Sequence, residues 1–162
     1  MKKIILLFIF SNTFINCQSA PKTTFSEVAL NDKLEQMDGA SVDFAAILEK
    51  HSGKPLFIDV WASWCRDCIK GLPKLKAFQA DHQGVVYVFL SLDKTIKAWK
   101  KGVERYEIKG DHYFMSSGRK GPLGSFLDLD WIPRFLIVNP DGKIEVFRAI
   151  ETTDINLLNY LK

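Results

Sequence analysis

The chain has 162 residues, 47% hydrophobic and 25% charged, which is an ordinary composition and enough length for one globular domain. Its net charge is +3, and two of the 22 basic residues, Lys2 and Lys3, lie in a leading segment that reads as removable. Without them the charge is +1, so the balance gives no argument for a nucleic-acid partner or an anionic surface.

Taken in order, Met1-Lys2-Lys3 followed by "IILLFIF" has the layout of a secretory signal peptide. The apolar run is far shorter than the roughly 20 residues that a membrane-spanning helix needs. Cys17 stands just after it, in the manner of a bacterial lipobox, although Phe14-Ile15-Asn16 departs from the usual pattern of Leu and small residues. Residues 1–16 are therefore expected to be a signal of the lipoprotein type, and Cys17 a lipidation site that anchors the chain to a membrane. Export places the remaining cysteine pair where disulfides persist.

Residues 17–37 are expected to form a tether and N-terminal extension, with "QSAPKTTFSEVAL" as its polar part, and residues 38–162 the domain. "SVDFAAILEKH" has Val42, Phe44, Ile47 and Leu48 near helical spacing, with Ser41 or Asp43 as the cap. "PLFIDVWA" is a short apolar run that suits a strand buried on both faces. A helix is expected from Cys65 to about Ala80, kinked at Pro73. A second apolar strand spans 85–93, and 95–108 reads as a helix with Ile96, Trp99, Val103 and Tyr106 along one side. "RFLIVN", "PDG" and "KIEVFRAI" predict an antiparallel hairpin, and "DINLLNYLK" a closing helix. Residues 109–130 are glycine-rich and read as loops, with room for a short helix in "GPLGSFLD". The alternation predicts an α/β fold with a mixed sheet covered on both sides.

The chemistry lies in "WASWCRDC". Cys65 and Cys68 could be a redox dithiol, half of a metal site or a structural bridge. Zinc needs four ligands, commonly from a second CxxC pair or two closely spaced histidines. His51, His82 and His112 are scattered and read as surface residues, so no metal or other cofactor is expected. A bridge closing so short a loop removes little unfolded-state entropy. A dithiol fits better: Cys65 falls at a helix N-terminus, where backbone N–H groups and the helix dipole favour its thiolate. Cys68 lies one turn on and can close the disulfide. Arg66 should favour the thiolate and Asp67 oppose it, which makes both redox-tuning candidates.

Together these residues resemble the thioredoxin superfamily. "FIDVWASWCRDC" is similar to the family's approach to its active site, Asp59 stands where the family has a buried acid, and Pro73 matches the proline of the active-site helix. "WIPRFLIVNPDGKI" resembles the segment that carries a cis-proline. The resemblance covers roughly residues 38–161 and implies the thioredoxin fold, a central mixed β-sheet flanked by helices. The export signal, the tether and the extra chain before Pro133 resemble the TlpA/ResA-type membrane-anchored proteins. That resemblance implies a periplasmic thiol-disulfide oxidoreductase that reduces exported disulfide-containing proteins, apocytochromes c among them. It also implies an upstream membrane thiol donor.

The resemblance assigns Asp59 to proton exchange with Cys68 and makes Ile132–Pro133 a cis bond whose backbone pairs with an extended substrate, beside an apolar docking surface at Trp64. Trp61 reads as core. The chain departs from the family in its Arg-Asp dipeptide, in Phe89 where cytosolic thioredoxins have a lysine near the acid, and in Ala149-Ile150 where relatives often place a glycine. Two other readings use the same residues: a disulfide oxidase or isomerase, and a lipoprotein binding module with an idle dithiol.

Overall fold

A computed structural model of the chain describes residues 22–162. In chain order it forms α1 (Glu27–Leu30), β1 (Lys33–Gln36), β2 (Ser41–Asp43), α2 (Phe44–Lys50), β3 (Leu56–Trp61), α3 (Arg66–Asp81), β4 (Val86–Ser91) and α4 (Ile96–Tyr106). β5 (Asp111–Phe114), a 3₁₀ turn (Gly118–Lys120), α5 (Pro122–Phe126), β6 (Arg134–Val138), β7 (Ile144–Ala149) and α6 (Ile155–Tyr160) complete it. The strands make one seven-stranded sheet in the order β2-β1-β5-β4-β3-β6-β7. The expected α/β thioredoxin architecture is what the chain adopts, with β5, the 3₁₀ turn and α5 inserted before the strand that follows Pro133.

β3 is an interior strand and every one of its six residues is buried. It runs parallel to β4 and antiparallel to β6, which places apolar neighbours on both sides of it. Phe57 lies within 5.1–5.4 Å of the rings of Phe78 on α3, Tyr87 on β4 and Phe135 on β6, and the first of these contacts packs α3 onto this strand. The hairpin between β6 and β7 closes as expected, with Gly142 at φ +81° and the Asn139 side chain accepting from the N–H groups of Asp141 and Lys143.

Four expectations are corrected. The polar stretch read as a tether is docked from residue 22 onward: Ser26 caps α1, Ala29 is fully buried and Phe25 meets Phe44 edge-on at 4.9 Å. Lys22 also donates to the Phe126 carbonyl oxygen at 2.6 Å and the Thr23 carbonyl accepts the Ile144 N–H at 2.8 Å, contacts that composition does not reveal. Val42 belongs to β2 rather than to a helix, and α2 starts after Asp43, whose side chain makes no capping hydrogen bond. Within 109–130 lies a strand, β5, parallel to β4 and antiparallel to β1. His112, expected at the surface, is buried on β5. It stacks on Phe89 at 5.0 Å and bonds the Ile108 carbonyl oxygen at 3.0 Å, and burial lowers its pKa.

Candidate active site

β3 ends at Trp61, whose indole is buried in the core, and the chain turns at once into α3. The Ala62 carbonyl accepts the Cys65 N–H at 3.0 Å, which closes the turn. Cys65 is the N-cap of this 16-residue helix, and its Sγ accepts the backbone N–H of Cys68 at 3.1 Å. A sulfur in that place sits in the positive field of the helix N-terminus with a donor aimed at it, which stabilises a thiolate. The Cys65 and Cys68 sulfurs are bonded to each other, with Cα atoms 5.3 Å apart. Both cysteines are buried, whereas Arg66 and Asp67 between them point to water.

The two sulfurs have different surroundings. Cys65 Sγ lies 3.6 Å from the Ile132 carbonyl oxygen, and the Ile132–Pro133 peptide bond is cis. Cys68 instead lines a cavity of about 310 Å³, together with Asp59, Pro133, Phe135, Trp131 and Ile150. Asp59 is 4% exposed, and its Oδ1 has no hydrogen-bond partner. Its neighbours across the sheet are Phe89 on β4 and Phe135 on β6, so no cation stands where the family lysine would be. Burial alone pushes the carboxyl well above its ordinary pKa, in the cavity that Cys68 also lines.

Trp64, Trp131 and Ile150 are three of the large apolar side chains that remain more than half exposed. Trp64 immediately precedes Cys65, while Trp131 and Ile150 border the cavity. The sequence-expected residues Cys65, Cys68, Asp59, Trp64, Ile132 and Pro133 are thus brought to one end of the sheet, and Cys17 lies outside the described residues. Among the described residues no cluster of His, Cys, Asp and Glu is placed to hold a metal ion, and no helix is long and apolar enough to cross a membrane.

Sequence reasoning missed two supports. Asp93, buried just after β4, accepts the Ser63 N–H at 3.1 Å, the Ser63 hydroxyl at 2.6 Å and the Ser91 hydroxyl at 2.9 Å. It ties the turn that carries Trp64 and Cys65 to the neighbouring strand. Arg134, next to Pro133, is 1% exposed and reaches back to the loop before the cis bond. An arginine inside the otherwise apolar run "RFLIV" was the legible sign of it.

The chain is similar to known proteins. The chain is 24% identical over 143 residues to the thiol-disulfide oxidoreductase ResA of Bacillus thuringiensis, which spans 87% of this chain and 79% of that protein. It is 22% identical over 139 residues to the soluble secreted antigen MPT53 of Mycobacterium bovis, across 86% of this chain and 72% of the antigen. A solution structure from Bacteroides vulgatus, described as a thiol-disulfide oxidoreductase, superimposes with a TM-score of 0.67 at 28% identity. It covers 90% of this chain and 89% of its own. A family model described as thioredoxin-like matches residues 53–144, from the approach to β3 through β6. With the dithiol at the head of α3, the buried acid on β3 and the cis bond before β6 all inside or beside that span, the chain belongs to the thioredoxin-like family, as a thiol-disulfide oxidoreductase of the ResA type.

Proposed function

We propose that the protein works outside the cytoplasm as a reductase of disulfides in exported proteins, held at the membrane through a lipidated Cys17. The observation that carries this reading is the contrast between the two sulfurs: Cys65 faces the Ile132 backbone, where a substrate polypeptide would lie, and Cys68 faces the cavity that holds Asp59.

In the reduced enzyme the Cys65 thiolate attacks one sulfur of the substrate disulfide. A mixed disulfide forms, and the other substrate sulfur leaves as a thiolate. Cys68 then loses its proton, accepted by ionised Asp59 through a water in the cavity, and attacks the Cys65 sulfur. The Cys65–Cys68 bond forms, the mixed disulfide breaks and the second substrate thiolate departs. Two electrons have passed to the substrate, and a membrane thiol donor returns the enzyme to its dithiol state. The extracytoplasmic setting is supported by the signal layout of residues 1–16 and by the secreted mycobacterial relative. Apocytochromes c fit as substrates in that setting because haem attachment requires reduced cysteines.

Two variants test the scheme. Cys65→Ala is expected to abolish reduction of a disulfide substrate, and Cys68→Ala to accumulate mixed disulfides on Cys65 in living cells. Turnover retained by Cys65→Ala would overturn the mechanism, and an absence of trapped partners with Cys68→Ala would remove protein substrates from it.

A further inference from the structure

Arg134 is among the largest fully buried side chains of the protein, and it stands directly after Pro133 on a strand that is otherwise apolar. A buried guanidinium is costly unless its donors are satisfied. Here Nη1 donates to the carbonyl oxygens of Leu127 at 3.0 Å and Asp128 at 3.3 Å, and Nη2 donates to Asp130 Oδ1 at 2.5 Å, while Nε is buried without a partner. All three acceptors belong to residues 127–130, the segment that runs into Trp131, Ile132 and Pro133.

The segment has little regular structure of its own. It follows α5 directly, and Asp128 takes the left-handed conformation at φ +47°, which is uncommon for a residue with a side chain. Two further arginines converge on Asp130: Arg148 of β7 on its carboxylate at 2.7 Å, and Arg119 on its carbonyl oxygen at 3.2 Å. Those two contacts lie at the surface, where solvent weakens them, so the buried guanidinium is the main brace. It closes a loop: β6 holds the arginine, the arginine holds residues 127–130, and between them hangs the stretch 131–133 that faces the dithiol.

We propose that Arg134 is a positioning residue that fixes the Ile132 backbone for docking of a polypeptide, so that the preference for polypeptide over small disulfides depends on it. The proposal rests on the reductase reading above. A small disulfide needs only access to Cys65, whereas an extended chain must also pair along Ile132. Loosening the brace therefore penalises the polypeptide selectively.

The test compares reduction of insulin with reduction of 5,5′-dithiobis(2-nitrobenzoate) by the wild-type protein, Arg134→Lys and Asp130→Asn. Lysine keeps the buried charge but cannot reach three divergent acceptors. Asp130 is exposed, so its substitution leaves the fold intact if Arg134→Lys does not. For Arg134→Lys, kcat/KM on insulin is expected to fall about 10- to 100-fold, mostly through KM, with the rate on the small disulfide within about twofold of wild type. Asp130→Asn should shift in the same direction by a smaller factor. Equal losses on both substrates, or unchanged insulin reduction in both variants, would overturn the proposal. A wild-type protein inactive on insulin but active on the small disulfide would contradict the reductase reading first, and this inference with it.

Discussion

Asp59 and Cys68 line one cavity at the end of the sheet, and the acid has an oxygen there with no protein partner. A carboxyl so placed is raised in pKa by burial. Asp59→Asn keeps the shape but cannot exchange a proton. It should slow resolution of the mixed disulfide by about 10²-fold, measured as release of the second thiol in single-turnover mixing, while the first attack by Cys65 keeps its rate.

The same shift predicts how stability depends on pH. Unfolded aspartate titrates near 3.9, and the folded carboxyl titrates higher. The folded state therefore binds the proton more tightly, so the contribution of Asp59 is fully present below about pH 4 and is lost as pH rises through its folded pKa. Each unit of difference is worth about 1.4 kcal/mol. Urea unfolding of the oxidised protein should show Asp59→Asn gaining on wild type between pH 4 and pH 8. A difference that stays constant with pH would contradict the assignment.

Gly102 on α4 faces the turn that carries the dithiol, and a Cβ added there would come within 2.5 Å of Ser63 Cβ. Glycine to alanine inside a helix normally stabilises by up to about 1 kcal/mol. Here it must push α4 away or displace Ser63 from Asp93, so Gly102→Ala should instead destabilise by about 1–3 kcal/mol. Chemical denaturation checks the sign, and a stabilised variant would show that the helix and the turn are not in firm contact.

Membrane anchoring is tested separately. If Cys17 carries the proposed anchor, Cys17→Ala should move the protein from the membrane fraction to the soluble one, since a chain without acyl groups lacks the apolar surface that would hold it. Fractionation unchanged by the substitution would show that Cys17 is not the anchor.

Much of this site was legible in the sequence because its signals are local. Pro55, the apolar run of β3 and the cysteine pair follow each other without interruption, and Cys65 duly caps α3. β5 was hidden because four residues, "DHYF", mix charge and aromatics between glycine-rich flanks, and its strand character comes from β4 and β1 on either side. The docking of residues 22–30 depends on distant partners, Phe44 and Phe126 for Phe25 and Asp128 for Lys22. Asp93 and Arg134 were missed for a related reason. Ser63 lies thirty residues from Asp93, and the Leu127 and Asp128 groups that accept from Arg134 are backbone carbonyls, which carry no residue-type signal. His112 was misplaced because a lone histidine reads as polar, while β5 carries it into the core beside Phe89.

The direction of electron flow is the central claim, and the reduction potential of the Cys65–Cys68 pair tests it most directly. The protein lacking residues 1–17 would be equilibrated in dithiothreitol or glutathione buffers and its thiols counted. A reductase should lie at or below about −250 mV, in the range of thioredoxin. A value near about −120 mV would instead make the pair an oxidant, and its substrates would be exported proteins that still lack their disulfides.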